Sequence, residues 1–192
     1  APAFGSRVNG KSIGAFGDAQ IFSFHATKAF TTMEGGALTS RDKSIIERAR
    51  AIRNFGQIDG AQCDEPGTNA KLTEVCALVG LEQLKLYDQA VEQRIEVGRI
   101  YREGLEGTRG VTLGEVSHGS SSVWLYFPVI LDPVEFGLTR DELAKALEFE
   151  NIFVRKYFEL PCHHLNAYKS LNTGTLKHTE EVAYNVIALP VY

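Results

Sequence analysis

Residues 19–40 read AQIFSFHATKAFTTMEGGALTS, and Ser23, His25 and Lys28 are the groups there that could do chemistry. A lysine at the end of an apolar run is partly desolvated, which disfavours the ammonium and frees the amine. A free amine attacks an aldehyde to give an imine, so Lys28 is a candidate catalytic nucleophile. A hydroxyl such as Ser23 can donate to a phosphate without adding charge. The plain alternative for Lys28 is a surface side chain with its stem on apolar neighbours and its head in water. His25 reads two ways, as a contact to a bound molecule or as packing against the strand.

Other reactive types are scattered downstream. Arg155, beside Tyr157, offers a planar fork for a phosphate or carboxylate, or a partner for Glu159. Cys162, His163 and His164 are consecutive. Two adjacent histidines in an extended loop point apart, and no further ligand has suitable spacing, so no metal site is expected. Asn69 taken alone is a turn residue. Gly35 and Gly36 read as a tight entry into a strand more simply than as a phosphate cradle. Trp124 reads as core.

The elements that must position these groups follow from pattern. AQIFSF (19–24) is a buried strand bounded by Gly17 and Asp18, and GGALTS (35–40) is a second. Residues 41–54 form an amphipathic helix, capped by Ser40 or Asp42 and ended by Gly56. Residues 56–70, rich in Gly and Pro, are loop. From Leu72 to about Glu106 no proline interrupts a helical apolar repeat, with Val75, Val79, Tyr87, Val91 and Ile95 as its buried stripe. Such a helix would run about 50 Å, bridging two parts or bending at Gly80 or Gly98.

A smaller α+β unit follows. Residues 122–131 read as a strand with Pro128 at an edge or bulge, and 139–151 as a helix with a Thr139–Glu142 capping box. Residues 152–158 alternate like a strand, 160–175 are loop, and 177–189 form a last helix before Pro190. The organisation expected is 1–106 as part of a large domain with its long connecting helix, and 107–192 as a small domain.

The chain has 192 residues, 44% of them apolar, and a formal net charge of −4. That balance argues against a nucleic-acid or anionic-membrane surface. The arginines at 48, 50 and 53 read as a solvated helix face. No apolar run reaches the ~20 residues that span a bilayer. Three cysteines without CxxC spacing suggest reduced thiols and a cytoplasmic protein.

The segment DAQIFSFHATKAFTTMEGGALTS resembles the cofactor-lysine segment of the DegT/DnrJ/EryC1/StrS sugar aminotransferases. RNFG (53–56), GTNAKLTEVCALVGLEQL (67–84), NIFVRKYFELPCHH (151–164) and IALPVY (187–192) resemble further stretches of that family, in the right order. The resemblance implies α/β architecture: the C-terminal part of a fold-type-I, aspartate aminotransferase-like large domain, with a smaller α+β domain. It implies pyridoxal 5′-phosphate (PLP) as cofactor, held as an imine by Lys28, with its phosphate met by Ser23 and, across a homodimer, by Asn69. Substrate contacts would come from His163, Arg155 and His25.

The implied reaction moves an amino group from an amino acid, glutamate by expectation, to a nucleotide-linked ketosugar. The resemblance places the aspartate that pairs with the pyridine nitrogen just ahead of Ala1. A cofactor-phosphate loop and a stacking aromatic would also lie upstream, and a last helix would follow Tyr192. The chain is therefore read as a segment of a longer one. Pro2 and Met33 depart from the family pattern. Two alternatives are a truncated or inactive relative serving as a binding or regulatory chain, and a PLP-dependent sugar dehydratase. The dehydratases carry histidine at the lysine position, so Lys28 argues against the second.

Overall fold

The computed structural model describes residues 2–58, 62–171 and 174–192. Two expected loops, 56–70 and 160–175, therefore fall partly outside the described residues. The elements in chain order are β1 (Arg7–Val8), β2 (Lys11–Ser12), β3 (Ala19–Ser23), β4 (Gly36–Ser40), α1 (Lys43–Arg53) and α2 (Glu74–Leu105). They continue with β5 (Val111–Leu113), β6 (Ser120–Ser121), β7 (Phe127–Leu131), α3 (Pro133–Phe136), α4 (Arg140–Phe149), α5 (Lys177–Asn185) and β8 (Val186–Leu189). The chain divides into two compact units, Ala1–Ile95 with Val116–Leu125, and Glu96–Glu115 with Tyr126–Tyr192.

In the first unit, β3 and β4 form an antiparallel pair in which Phe22 faces Ala37 and Ser23 faces Gly36. A second small sheet runs β2-β1-β6. Asp42 caps α1, its carboxylate accepting from the Ser44 N–H at 2.8 Å. That bond satisfies one of the donors a helix start leaves unpaired. Phe22 and Phe30 are buried and meet Phe4, Phe24 and Tyr87 in one aromatic cluster, with centroids 4.8–5.5 Å apart. Each such ring contributes about 1.5–3 kcal/mol on burial.

Helix α2 is continuous over 32 residues, about 48 Å at ~1.5 Å per residue, with neither Gly80 nor Gly98 interrupting it. Its buried positions are Cys76, Gly80, Tyr87 and Gly98. The expected stripe is thus displaced at its start: Val75 is 62% exposed and Cys76 takes the inward place. Glycine at 80 lets the helix backbone come close to Thr32. Ile21, Leu78, Leu81 and Leu86 also remain exposed on the described surface.

In the second unit the sheet order is β5-β7-β8, all antiparallel. β7 is therefore central, although Pro128 had suggested an edge. β5 pairs only with Val129–Leu131, so Pro128 lies past its end, where a missing N–H costs the β5 ladder nothing. Trp124 is only half-buried, and the core position is Val123, with Phe127, Leu131 and Ile187 in the second unit. The capping box at Thr139 and Glu142 is present in both directions.

Two further expectations fail. Residues 152–158 do not form a strand; among the described residues their one ladder contact is the bridge between Arg155 and Ala188. The last helix stops at Asn185, and Val186–Leu189 turn into β8 because pairing with β7 captures four apolar residues.

Candidate active site and a histidine cluster

Ser23 ends β3, and the chain then loops to Gly36, where β4 returns beside it. Phe24 closes this loop on both sides: its N–H donates to the Gly35 carbonyl (2.9 Å), and its own carbonyl accepts from Thr32 N–H (3.0 Å) and the Thr31 hydroxyl (3.1 Å). Phe24 and Phe30 stack edge to face at 4.8 Å, pinning both shoulders of the segment that carries Lys28.

Thr32, 3% exposed, donates its hydroxyl to the Glu34 carbonyl at 2.9 Å. A Cβ on Gly80 of α2 would stand 2.8 Å from Thr32 Cγ2, so the helix rests directly on this threonine. The paired glycines are a tight strand entry, as expected: a Cβ on Gly35 would collide with Thr32 Oγ1, and one on Gly36 would stand 2.7 Å from the Phe22 carbonyl oxygen.

Lys28 lies in the turn after the strand, half-buried, its backbone N–H donating to the His25 carbonyl at 2.9 Å. Its amine has no hydrogen-bond or ion-pair partner among the described residues. The Ser23 hydroxyl accepts a long 3.5 Å contact from the His25 N–H, leaving its proton to donate elsewhere. His25 is exposed. Its Nδ1 accepts from the Thr27 N–H at 3.2 Å, which puts the ring proton on Nε2, 3.4 Å from a Glu34 carboxylate oxygen. The histidine is thereby oriented by its own loop.

Asn69 sits on a different segment. It bridges Asn54 through the backbone, flanked by the Phe55 N–H to Thr68 carbonyl bond (3.1 Å) and the Ala70 N–H to Arg53 carbonyl bond (3.0 Å). Its side-chain amide is exposed and unpartnered among the described residues.

Arg155 and His163 belong to the second unit. Arg155 is fixed by two backbone bonds to Ala188, at 3.0 and 2.7 Å. Its guanidinium does not pair with Glu159, which binds Lys156 at 3.2 Å instead. Tyr157 packs on Tyr126 with centroids 4.4 Å apart.

The two histidines do not point apart. The Cys162–His164 stretch is a tight 3-10 turn, not an extended loop. The turn brings both Nε2 atoms to one oxygen of Glu180, at 3.0 Å from His163 and 3.5 Å from His164. Leu176 N–H donates to the same oxygen at 3.3 Å, and His164 Nδ1 meets the Tyr184 hydroxyl at 3.0 Å. The hydrogen bond from His163 holds the Glu180 carboxyl below the usual range against the opposing effect of burial, with smaller help from the Leu176 N–H and the nearby imidazoles. Glu180 and Tyr184 were not singled out from sequence, although their i, i+4 spacing on α5 was the available signal. The cysteines at 63, 76 and 162 are free thiols. No helix among the described residues is long and apolar enough to cross a membrane.

Residues 1–192 match the DegT/DnrJ/EryC1/StrS aminotransferase family throughout. A dTDP-4-amino-4,6-dideoxy-D-glucose transaminase of Shigella dysenteriae is 36% identical over all of this chain and 52% of its own length. A GDP-perosamine synthase of Vibrio cholerae is 35% identical over 91% of this chain and 47% of its own. Among solved structures, DesV of S. venezuelae, in complex with a ketimine intermediate, superposes with a TM-score of 0.90 at 30% identity, covering all of this chain and 51% of that one. DesI, solved with its TDP-sugar product, gives 0.87 at 35% identity over 99% of this chain and 48% of that one. The chain spans about half the length of the curated relatives it matches. The α/β architecture expected from the sequence, as part of a fold-type-I aminotransferase, is what these neighbours have. The chain belongs to the DegT/DnrJ/EryC1/StrS aminotransferase family.

Proposed function

We propose that this chain is the lysine-bearing part of a PLP-dependent aminotransferase that moves an amino group from an amino acid, glutamate by preference, to a nucleotide-linked ketosugar. The observation that carries the reading is Lys28: an amine without a partner among the described residues, on a loop clamped by Phe24, Phe30 and Thr32. The residues present fit the cofactor. Lys28 supplies an amine for its aldehyde, the Ser23 hydroxyl has its proton to give to a phosphate, and the Asn69 amide is open to a second subunit. The names of the relatives, which are transaminases and synthases of amino sugars on nucleotides, support the substrate class.

When bound, PLP supplies the electron sink that stabilises a carbanion at the donor's Cα. The chain's own part is binding, orientation and proton transfer. Lys28 would hold the cofactor through Nζ, and that same nitrogen would serve as the base that takes the proton from the donor's Cα. Ser23 and Asn69 fix the phosphate end, Asn69 from the neighbouring subunit of a homodimer. Arg155, its guanidinium free of Glu159, suits an anionic group of the substrate, and the Nε2–H of His25 a second polar contact. His163, its ring set by Glu180, is the remaining proposed substrate contact.

Incubation with PLP followed by borohydride tests this. The expected result is one reduced pyridoxyl adduct per chain, mapped to Lys28 by peptide mass analysis and absent from Lys28→Ala. Amine transfer from glutamate to a nucleotide-linked ketosugar should be lost with it. A folded protein that gains no adduct at Lys28 overturns the reading and favours the inactive-relative alternative.

A further inference from the structure

We propose that His163, His164 and Glu180 form a binding site for a single divalent transition-metal ion of the zinc class. The three side chains offer two imidazole nitrogens and a carboxylate oxygen, all within 4.8 Å of one another. His163 Nε2 and His164 Nε2 stand 3.0 and 3.5 Å from the same Glu180 oxygen. At zinc–ligand distances of about 2.0–2.2 Å, two ligands on a tetrahedral ion are separated by about 3.3 Å. The two imidazole–carboxylate separations bracket that edge, so an ion can take the place of the proton between each Nε2 and the Glu180 oxygen.

The supports of the site are built as metal sites require. The His164 nitrogen away from Glu180 faces the Tyr184 hydroxyl at 3.0 Å, so Nδ1–H can donate there and leave the Nε2 lone pair for a metal. Leu176 N–H holds the Glu180 carboxylate. The histidines come from a 3-10 turn and the carboxylate and tyrosine from α5.

Two imidazoles and a carboxylate suit zinc, cobalt or nickel, and not calcium or magnesium, which prefer oxygen alone. Three protein ligands leave a fourth position, and the His164 side chain is 37% exposed, so water or a ligand can reach it. The site stands on its own residues and does not rest on the aminotransferase reading.

The test uses the chelator-treated protein without cofactor or substrate. Calorimetric titration with zinc chloride should give one equivalent with a Kd on the order of micromolar. Cobalt should give the visible absorption of a low-coordinate ion. His164→Ala and Glu180→Gln should each weaken binding at least about tenfold, while His178→Ala, outside the cluster, should leave it unchanged. The wild-type protein supplies a readout free of folding effects: the Nε2 nitrogens of His163 and His164 should both shift in histidine NMR spectra at one zinc equivalent. No saturable binding, unshifted imidazoles, or binding that survives both substitutions and so resides on the exposed thiols or elsewhere, each overturns the proposal.

Discussion

The contact between α2 and Thr32 makes one substitution act with opposite sign at two places in a single helix. On helix propensity alone, glycine to alanine should stabilise by up to about 1 kcal/mol in a helix interior. At Gly104 a new Cβ meets nothing within 4 Å, and the residue is one short of the helix end. Gly104→Ala should therefore stabilise by about 0.5 kcal/mol, less than the interior value because helix ends fray. At Gly80 the same Cβ would lie 2.8 Å from Thr32 Cγ2, well inside the ~3.5–4.0 Å of a comfortable carbon contact.

Thr32 cannot swing aside freely. Its hydroxyl is bonded to Glu34, its N–H to Phe24, and it is 3% exposed. Overpacking of this kind costs about 1–3 kcal/mol, so after the propensity gain Gly80→Ala should destabilise by about 1 kcal/mol. In a protein of this size that is a fall in Tm of about 2–4 °C, against a rise of about 1–2 °C for Gly104→Ala. Far-UV circular dichroism melts measure both. Hydrogen exchange of the Thr32 and Lys28 amides in Gly80→Ala should also quicken, since the displaced threonine is what ties the loop down. If Gly80→Ala melts as high as Gly104→Ala and the loop amides keep their protection, α2 does not position the lysine loop.

Tyr87 gives a pH signature. Its hydroxyl donates to the Phe4 carbonyl at 2.7 Å, and burial, opposed in part by Arg94, pushes its pKa up to about 12. The folded state thus keeps the phenol proton more tightly than the unfolded chain. Stability is full below pH 10 and falls between pH 10 and 12, by on the order of 2 kcal/mol in all. Urea titrations across that range should show the decline in wild type and a flatter profile in Tyr87→Phe, which at neutral pH should lose about 1 kcal/mol with its hydrogen bond. Thr139→Ala removes the hydroxyl that accepts from the Glu142 N–H, leaving the bond from the 139 N–H to the Glu142 carboxylate, and should cost about 1 kcal/mol in the same titration; an unchanged midpoint would refute that role.

What the sequence disclosed most fully were features decided locally. α1, α2 and α4 lie within about two residues of their expected ends because caps, proline absence and periodicity are short-range signals. Val186–Leu189 and residues 152–158 misled for the converse reason. Val-Ile-Ala-Leu after a helical run continues an apolar helix as readily as it starts a strand, and the decision falls to β7 in a distant part of the chain. Residues 152–158 have strand alternation but, among the described residues, a single ladder partner, Ala188, so the pattern is left almost unused.

The same division separates reactive groups from what holds them. Lys28 and Ser23 could be proposed because an amine and a hydroxyl close to the end of an apolar run suggest chemistry by type, whereas Asn69 stands out only through the long motif around it. Thr32 and Gly80 could not, since a threonine and a helical glycine acquire meaning only when one is seen against the other. The histidines are the sharper case. Adjacent positions in an extended chain diverge, so the expectation of no metal site followed correctly from a wrong local conformation. The 3-10 turn at Cys162–His164 rotates the two rings toward one side, and Glu180 arrives from α5 to meet both. One turn of backbone, too short to leave a periodic trace, converts two divergent imidazoles into a convergent pair of ligands.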